Sequence, residues 1–398
     1  MRFASALTTK LDWTEAVEDL TRQIRSQLDA KTVDLALMFA HPKFIPQISD
    51  LMGAMLHGLG ARHLVGCTGG GIIGVEREIE RRPAVSLLVG ELPTVEVTPF
   101  HIVQNDLEES SGPGFWHFQL EVASAENPNL LLLADPFTIQ AVQLVQQLTE
   151  AYPGAPLVGG LASGGEHPGE NRLFLDGEVL DEGAVGVALT GRVQLHAIVS
   201  QGCKPIGEPF TVTRAEKNLI LELGGRPPLA VLQELIPQLP QSDQQLARTA
   251  LFLGRVINEY KEDYGRGDFL VRNLIGHDPQ SGALAVGDWM RTGQTVQFQV
   301  RDGESADEDL RHLLGQQKRQ FAKTPPCGVV LFSCLGRGEG MYGAPNHDIK
   351  TLHQYVGRVP TAGFFCNGEI GPVGERAFVH GFTSVIGLFT EPKEDALK

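Results

Sequence analysis

Apolar positions along the chain fall into two rhythms. Between residues 12 and 28, Trp13, Ala16, Val17, Leu20, Ile24 and Leu28 recur at helical spacing on one face. Asp12 stands where an N-cap belongs, and Glu15 three residues on completes a capping-box pattern. The spacing predicts a helix with one side on a sheet and the other in water. Thereafter, apolar runs of strand length alternate with helical stretches. Residues 33–39 read as a buried strand, 44–59 as a helix, and His63-Leu-Val as a second strand entering Gly66-Cys-Thr-Gly-Gly-Gly. The order returns at 129–134, a helix over 137–151, and Pro156-Leu-Val entering Gly159-Gly-Leu-Ala-Ser-Gly-Gly. It returns again at 328–333, a helix over 346–355, and residues 359–362 entering Gly363-Phe-Phe-Cys-Asn-Gly-Glu. A further apolar run follows each glycine loop, at 84–89, 184–189 and 382–389.

Each stretch from first strand to glycine loop spans about 30 residues, the size of a βαβ unit. Strands joined through a helix pair in parallel, which puts the three glycine loops at corresponding strand ends. Antiparallel pieces lie between the units. Asp176-Gly177 marks a hairpin turn, 295–301 alternates with period two and predicts a half-buried strand with one wet face, and 304–321 reads as a helix. The expected class is α/β: recurring βαβ units with parallel or mixed sheets plus antiparallel hairpins, in two halves. Gly224-Gly-Arg-Pro-Pro breaks the chain, which divides into an N-terminal helix (1–29), domains over 30–223 and 224–390, and a loose tail over 391–398.

Composition narrows the function. With 33 basic against 48 acidic residues the net charge is −15, which repels phosphate backbones and anionic lipid, so neither nucleic acid nor a membrane surface is an expected partner. No apolar run approaches the roughly 20 residues of a membrane-spanning helix, and the first ten residues lack the apolar core of a signal peptide. The five cysteines are scattered without a Cys-x-x-Cys pair, as expected of reduced thiols in the cytoplasm and not of a zinc site.

Gly69-Gly-Gly-Ile-Ile-Gly74 has the spacing of a dinucleotide-binding loop, but the segment after it is short, lacks an apolar stripe and ends at Pro83. Gly338-Glu-Gly-Met-Tyr-Gly343 has the same spacing without a following acid for a ribose. No P-loop is present, Ser163 lacks the first glycine of a nucleophile elbow, and His-Glu-x-x-His is missing. No cofactor and no metal are expected. Cys67 and Cys366 each stand just after a strand, in a glycine-bearing loop whose amides favour an anion; a nucleophile there would need a base such as His380. Glu369 sits among apolar residues and glycines and requires a partner, Arg337 or Arg272 being the basic candidates.

Val65-Gly-Cys-Thr-Gly-Gly-Gly-Ile-Ile, Gly202-Cys-Lys-Pro-Ile-Gly, Phe269-Leu-Val-Arg-Asn, Leu284-Ala-Val-Gly-Asp and Phe364-Phe-Cys-Asn-Gly-Glu-Ile-Gly-Pro occur in this order. With Thr211-Val-Thr and Gln294-Thr-Val-Gln-Phe, they resemble the FIST family (F-box and intracellular signal transduction) from about residue 30 to 390. The resemblance implies an intracellular sensory module for a small molecule, amino acids or related metabolites being the family-level suggestion, and brings no catalytic residues with it. Little of the chain lies outside the two halves, so output is expected through a signalling partner or self-association. The expected ligand-binding set is Cys67, Thr68, Gly69, Ser163, Arg272, Arg337, Gly338, Cys366, Asn367 and Glu369, gathered where glycine loops let a ligand approach backbone. The alternatives are an enzyme using Cys67 or Cys366 in acyl or thiol chemistry, and a scaffold without ligand.

Overall fold

The strand–helix–strand–loop–strand rhythm is realised three times, each time preceded by one more strand. The structure, a computed structural model, describes residues 1–29 and 33–392; the expected loose tail falls almost wholly outside them. The first repeat runs β1 (Arg2–Thr8), α1 (Trp13–Arg25), β2 (Val33–Ala40), α2 (Ile48–Leu59), β3 (Ala61–Thr68), a hairpin of β4 (Ile72–Gly74) and β5 (Arg77–Ile79), and β6 (Val85–Glu91). Asp12 caps α1 by accepting from the amides of Thr14 and Glu15, and Ala16, Leu20 and Ile24 are its buried stripe. The second repeat runs β7 (Val95–Ile102), α3 (Gln104–Glu109), α4 (Pro113–Gln119), β8 (Asn129–Ala134), α5 (Ala141–Ala151) and β9 (Leu157–Leu161). It ends with the hairpin of β10 (Leu173–Leu175) and β11 (Glu178–Leu180), then β12 (Ala184–Gly191). Asp176 and Gly177 both take positive φ in the expected tight turn.

The third repeat opens with β13 (Gln194–Gln201) and is interrupted by a second compact unit, residues 200–309 with 380–382. That unit holds β14 (Cys203–Pro205), β15 (Phe210–Glu216), β16 (Leu219–Leu223), α6 (Pro228–Leu235), α7 (Gln241–Thr249), β17 (Leu251–Val256), β18 (Phe269–His277), β19 (Leu284–Val286) and β20 (Thr295–Arg301). The repeat then resumes with α8 (Gly303–Lys323), β21 (Gly328–Cys334), α9 (Glu339–Tyr342), α10 (His347–Val356) and β22 (Thr361–Cys366). The hairpin of β23 (Glu369–Val373) and β24 (Arg376–His380) and the return strand β25 (Thr383–Thr390) complete it.

Three six-stranded sheets have one shared plan: leading strand, return strand, first strand, second strand, hairpin. Their orders are β1-β6-β2-β3-β10-β11, β7-β12-β8-β9-β23-β24 and β13-β25-β21-β22-β4-β5. The first-to-second pairings are parallel, as a helical crossover requires. The hairpins are exchanged in a ring, since each repeat donates its own to the second strand of another: β4–β5 to β22, β10–β11 to β3, and β23–β24 to β9.

The repeats also match residue by residue. Gly66, Gly159 and Gly363 face Met38, Leu132 and Leu331 across their parallel pairs. A Cβ on any of the three would lie 1.8–1.9 Å from the facing carbonyl oxygen, so only glycine fits. One position further on, Phe39, Leu133 and Phe332 point into the shared core. Phe39, Phe332 and Phe364 pack there with ring centroids 5.1–6.1 Å apart. Gly160 has no side chain because the Cys366 sulfur and the Phe364 ring occupy its place.

In the second unit β20-β15-β16-β19-β18-β17 close on β20 as an antiparallel barrel, with Val212, Ile220, Leu253, Val286, Val296 and Phe298 in its core. The wet face expected for 295–301 is absent. Gln297 and Gln299 are buried along with Phe298 between them, because the Gln297 amide is covered by the chain at Gly207, donating to its carbonyl, and the Gln299 amide lies over side-chain-free Gly254. Among the described residues, no helix is long and apolar enough to cross a membrane.

Candidate functional site

The three glycine loops meet. The Ser163 amide donates to Thr68 O at 3.2 Å, the Gly70 amide donates to Ser163 Oγ at 2.9 Å, and that hydroxyl donates to Phe365 O, so one serine of the second repeat ties the other two. The Asn367 amide donates to Leu161 O at 3.1 Å and the Phe365 amide to Gly71 O at 2.9 Å. Thr68 Oγ1 accepts from the Arg172 amide at 3.0 Å, and a Cβ on Gly69 would meet Phe364 at 2.7 Å. The inner layer of this junction is packed rather than hollow, with Cys67, Thr68, Ser163 and Cys366 buried and Asn367 exposed. Gly69–Gly74 leads into the β4–β5 hairpin, not a helix, so it offers no helix N-terminus to a diphosphate.

Cys67 and Cys366 lie inside β3 and β22 instead of in loops, and they are not equivalent: Cys67 matches Phe364 in the repeat, two positions before Cys366. Burial pushes both thiols up, Cys366 further through Glu369, which is the reverse of the thiolate a nucleophile needs.

Chemistry concentrates beside the junction, under the loop over 335–346. Arg337 is buried against Asp348, donating from Nε to Oδ2 at 2.9 Å and from Nη2 to Oδ1 at 3.1 Å. It also donates to the Tyr342 hydroxyl. Asp348 further accepts from Ser333 Oγ at 3.0 Å and from His347 Nδ1 at 3.0 Å, and the His347 ring stacks on Tyr342 at 3.5 Å. Burial opposes both charges of the Arg337–Asp348 pair, but their attraction wins, holding the guanidinium above and the carboxyl below their usual ranges. Gly338 and Gly343, both at positive φ, flank the single turn of α9 above this pair, and the Glu339 amide is tied to Glu80 at 2.9 Å.

Two further carboxyls complete the group. Glu78, brought in on the exchanged β4–β5 hairpin, accepts from the Ile349 amide at 2.8 Å. Burial, reinforced by Asp348, pushes it up to about 8. Glu369 Oε2 accepts from the Thr383 amide at 3.0 Å and its hydroxyl at 2.7 Å, while burial pushes the carboxyl up to about 8. Among the described residues Arg337 Nη1 finds no acceptor and Glu78 Oε2 and Glu369 Oε1 find no N–H or O–H donor, although these side chains belong to residues only 2%, 6% and 0% exposed. The Cys334 thiol is the neighbour of Glu369.

The expected ion pair of Glu369 with Arg337 or Arg272 is not formed. Arg337 is taken by Asp348, and Arg272 belongs to the second unit, where it pairs with Asp288 at 2.9 Å. Glu78, Asp348, Tyr342 and His347 carry no motif, and Glu78 reaches the group only through the hairpin exchange. Elsewhere on the first unit a cleft of about 240 Å³ is lined by β13, α8 and the β23–β24 turn, with His196, Gln317, Gln320 and Glu375 as its polar side chains. Burial lowers the His196 imidazole below its ordinary range, and its Nε2 lies 2.9 Å from Thr390 Oγ1.

Comparison with known proteins places this architecture. An uncharacterized protein of Mycobacterium tuberculosis is 38% identical over 391 residues, covering 98% of this chain and all of its own length. One of Mycobacterium bovis is 36% identical over 396 residues, covering 99% of this chain and all of its own. An F-box/LRR-repeat protein of Arabidopsis thaliana is 27% identical over 131 residues, 29% of this chain and 25% of the plant protein. The FIST N domain matches residues 34–226 and the FIST C domain residues 228–372, and the chain therefore belongs to the FIST family.

Proposed function

We propose that this protein is a cytoplasmic small-ligand sensor whose binding group is Arg337 with Glu78 and Glu369. FIST domains are associated with sensory roles in signal transduction. The observation that carries the finer reading is the set of three buried ionisable side chains, each keeping one polar atom without a nitrogen or oxygen partner among the described residues, beneath a loop flanked by two glycines. A buried polar atom left unsatisfied costs about 1–3 kcal/mol, so a ligand that supplies the missing contacts is favoured by that much at each atom. One guanidinium N–H and two carboxyl oxygens match a small molecule bearing a carboxylate and an ammonium, the amino acids and their relatives. Entry requires the 335–346 loop to lift, and the ligand shifts open and closed forms only by its differential affinity for them. The signal then passes to a partner protein or a second copy of the chain. Five thiols with no disulfide suit the reducing cytoplasm.

Isothermal titration of the full chain with the common amino acids and related zwitterions tests this. Glu78 is protonated below about pH 8 and must ionise to meet an ammonium, so affinity should fall as pH drops from 8 to 6. A saturable binder lost in Glu78→Gln is the expected result. Finding no binder, or one indifferent to that substitution, would refute the proposal.

A further inference from the structure

The first unit places two cysteines directly opposite one another. In the parallel pair of β21 and β22, Cys334 is in register with Cys366, and residues in register project to the same face of the sheet. The rings of Phe332 and Phe364, in register two residues earlier, meet on that face at 5.7 Å. Neighbouring strands run about 4.8 Å apart, inside the span of about 4.4–6.8 Å that a disulfide bridges between Cα atoms. From the geometry we infer that Cys334 and Cys366 form a reversible dithiol–disulfide pair, oxidised by a hydroperoxide.

Position gives the two sulfurs different parts. Cys334 is half-buried at the last residue of β21, where the chain leaves the sheet for the loop bearing Arg337, so an oxidant can reach it. Glu369 lies beside it and can take its proton when ionised. The Cys334 thiolate attacks the peroxide, the O–O bond breaks, water or an alcohol leaves, and a sulfenic acid remains. The Cys366 thiol then attacks that sulfur as its proton passes to the departing hydroxyl, so the S–O bond breaks, water leaves and the disulfide forms. Two thiols lose two electrons and two protons, and the hydroperoxide is reduced. Cys366 is fully buried, which prevents direct attack by peroxide and makes it the resolving partner, kept opposite Cys334 by the strand register. Cys67 also neighbours Cys366 but is fully buried in β3, away from any oxidant. Closing the bridge draws the end of β21 toward β22, directly beneath the 335–346 loop.

The test needs no ligand, so its outcome is separate from that of the sensing proposal. The full chain, reduced and then treated with hydrogen peroxide, is blocked with N-ethylmaleimide and mapped by peptide mass spectrometry. Titratable thiols should fall from five to three with one Cys334–Cys366 link, reversed by dithiothreitol. Cys334→Ser and Cys366→Ala should each abolish the link, while Cys67→Ala leaves it; Cys334→Ser alters only a half-buried position, which keeps the test valid should Cys366→Ala unfold. Retention of five thiols in folded protein, accumulation of sulfinic acid at Cys334 without a link, or a link through Cys67 would overturn the inference.

Discussion

Replacing Glu369 by glutamine isolates the energetic consequence of burying a carboxyl without an ion-pair contact of its own. Its folded value near 8 stands above the ordinary 4.5, so the folded chain holds a proton that the unfolded chain releases. The contribution is fully present below about pH 4.5 and is lost as pH rises toward 8. Between those limits each such group lowers stability by about 1.4 kcal/mol per pH unit. Glu78 acts in the same direction over the same window. His41, His196 and His353, whose values burial depresses, act oppositely but only below about pH 6.5. The clean interval is therefore pH 6.5 to 8, where Glu369 should account for about 2 kcal/mol. A glutamine at this position can still accept from Thr383 through its carbonyl oxygen, so Glu369→Gln should keep the fold and remove that part of the slope. Urea unfolding at half-unit pH steps measures it. Parallel stability curves for wild type and variant would mean that Glu369 is ionised in the folded protein, and the burial argument would fail.

Two other substitutions probe the frame. Gly159→Ala must push its Cβ out of the Leu132 carbonyl 1.8 Å away and should cost roughly 3 kcal/mol or more, whereas Gly53→Ala inside α2, with nothing within 4 Å, should gain about 0.5–1 kcal/mol; thermal melts of equal midpoint would contradict the close-approach reading. Arg337→Met leaves Asp348 buried without its cation and should cost about 3–5 kcal/mol in urea unfolding, with Arg337→Met/Asp348→Asn recovering part; a neutral single variant would show that the pair is dispensable.

The sequence made the three parallel strand pairs legible because each is local: two apolar runs, a helix and a glycine loop within one βαβ length. The three return runs followed for the same reason. Leading strands such as β1, with Arg2-Phe-Ala-Ser-Ala-Leu-Thr, escaped because small and polar residues blur their period, and their burial comes from the edge they cover. The hairpin exchange was invisible because β4, β10 and β23 are three to five residues long and their partners lie more than 90 residues away in sequence. That explains the candidate site as well. Arg337 and Glu369 stood out as charges among apolar and glycine residues, but Glu78, in the exposed-looking run Val75-Glu-Arg-Glu-Ile-Glu, is buried only because its hairpin crosses to β22.

The exchange also determines which part of the first unit can respond to a ligand. Glu78 comes from the first repeat, Arg337 and Asp348 from the third, and Glu369 sits on the third repeat's hairpin in register with Gly160 of the second. A molecule that bonded all three side chains would therefore load strands of every repeat at once. Yet the repeats have no slack for sliding: each parallel pair is in contact through a glycine that a single methyl would part, and Ser163 bonds both other loops. Close-packed layers yield as discrete switches or not at all. The element outside the sheets is the 335–346 loop, whose single turn lies between two glycines and is held by Glu80, Tyr342 and His347. Occupancy is thus expected to be read out as a change at that loop, over a frame whose three sheets stay fixed.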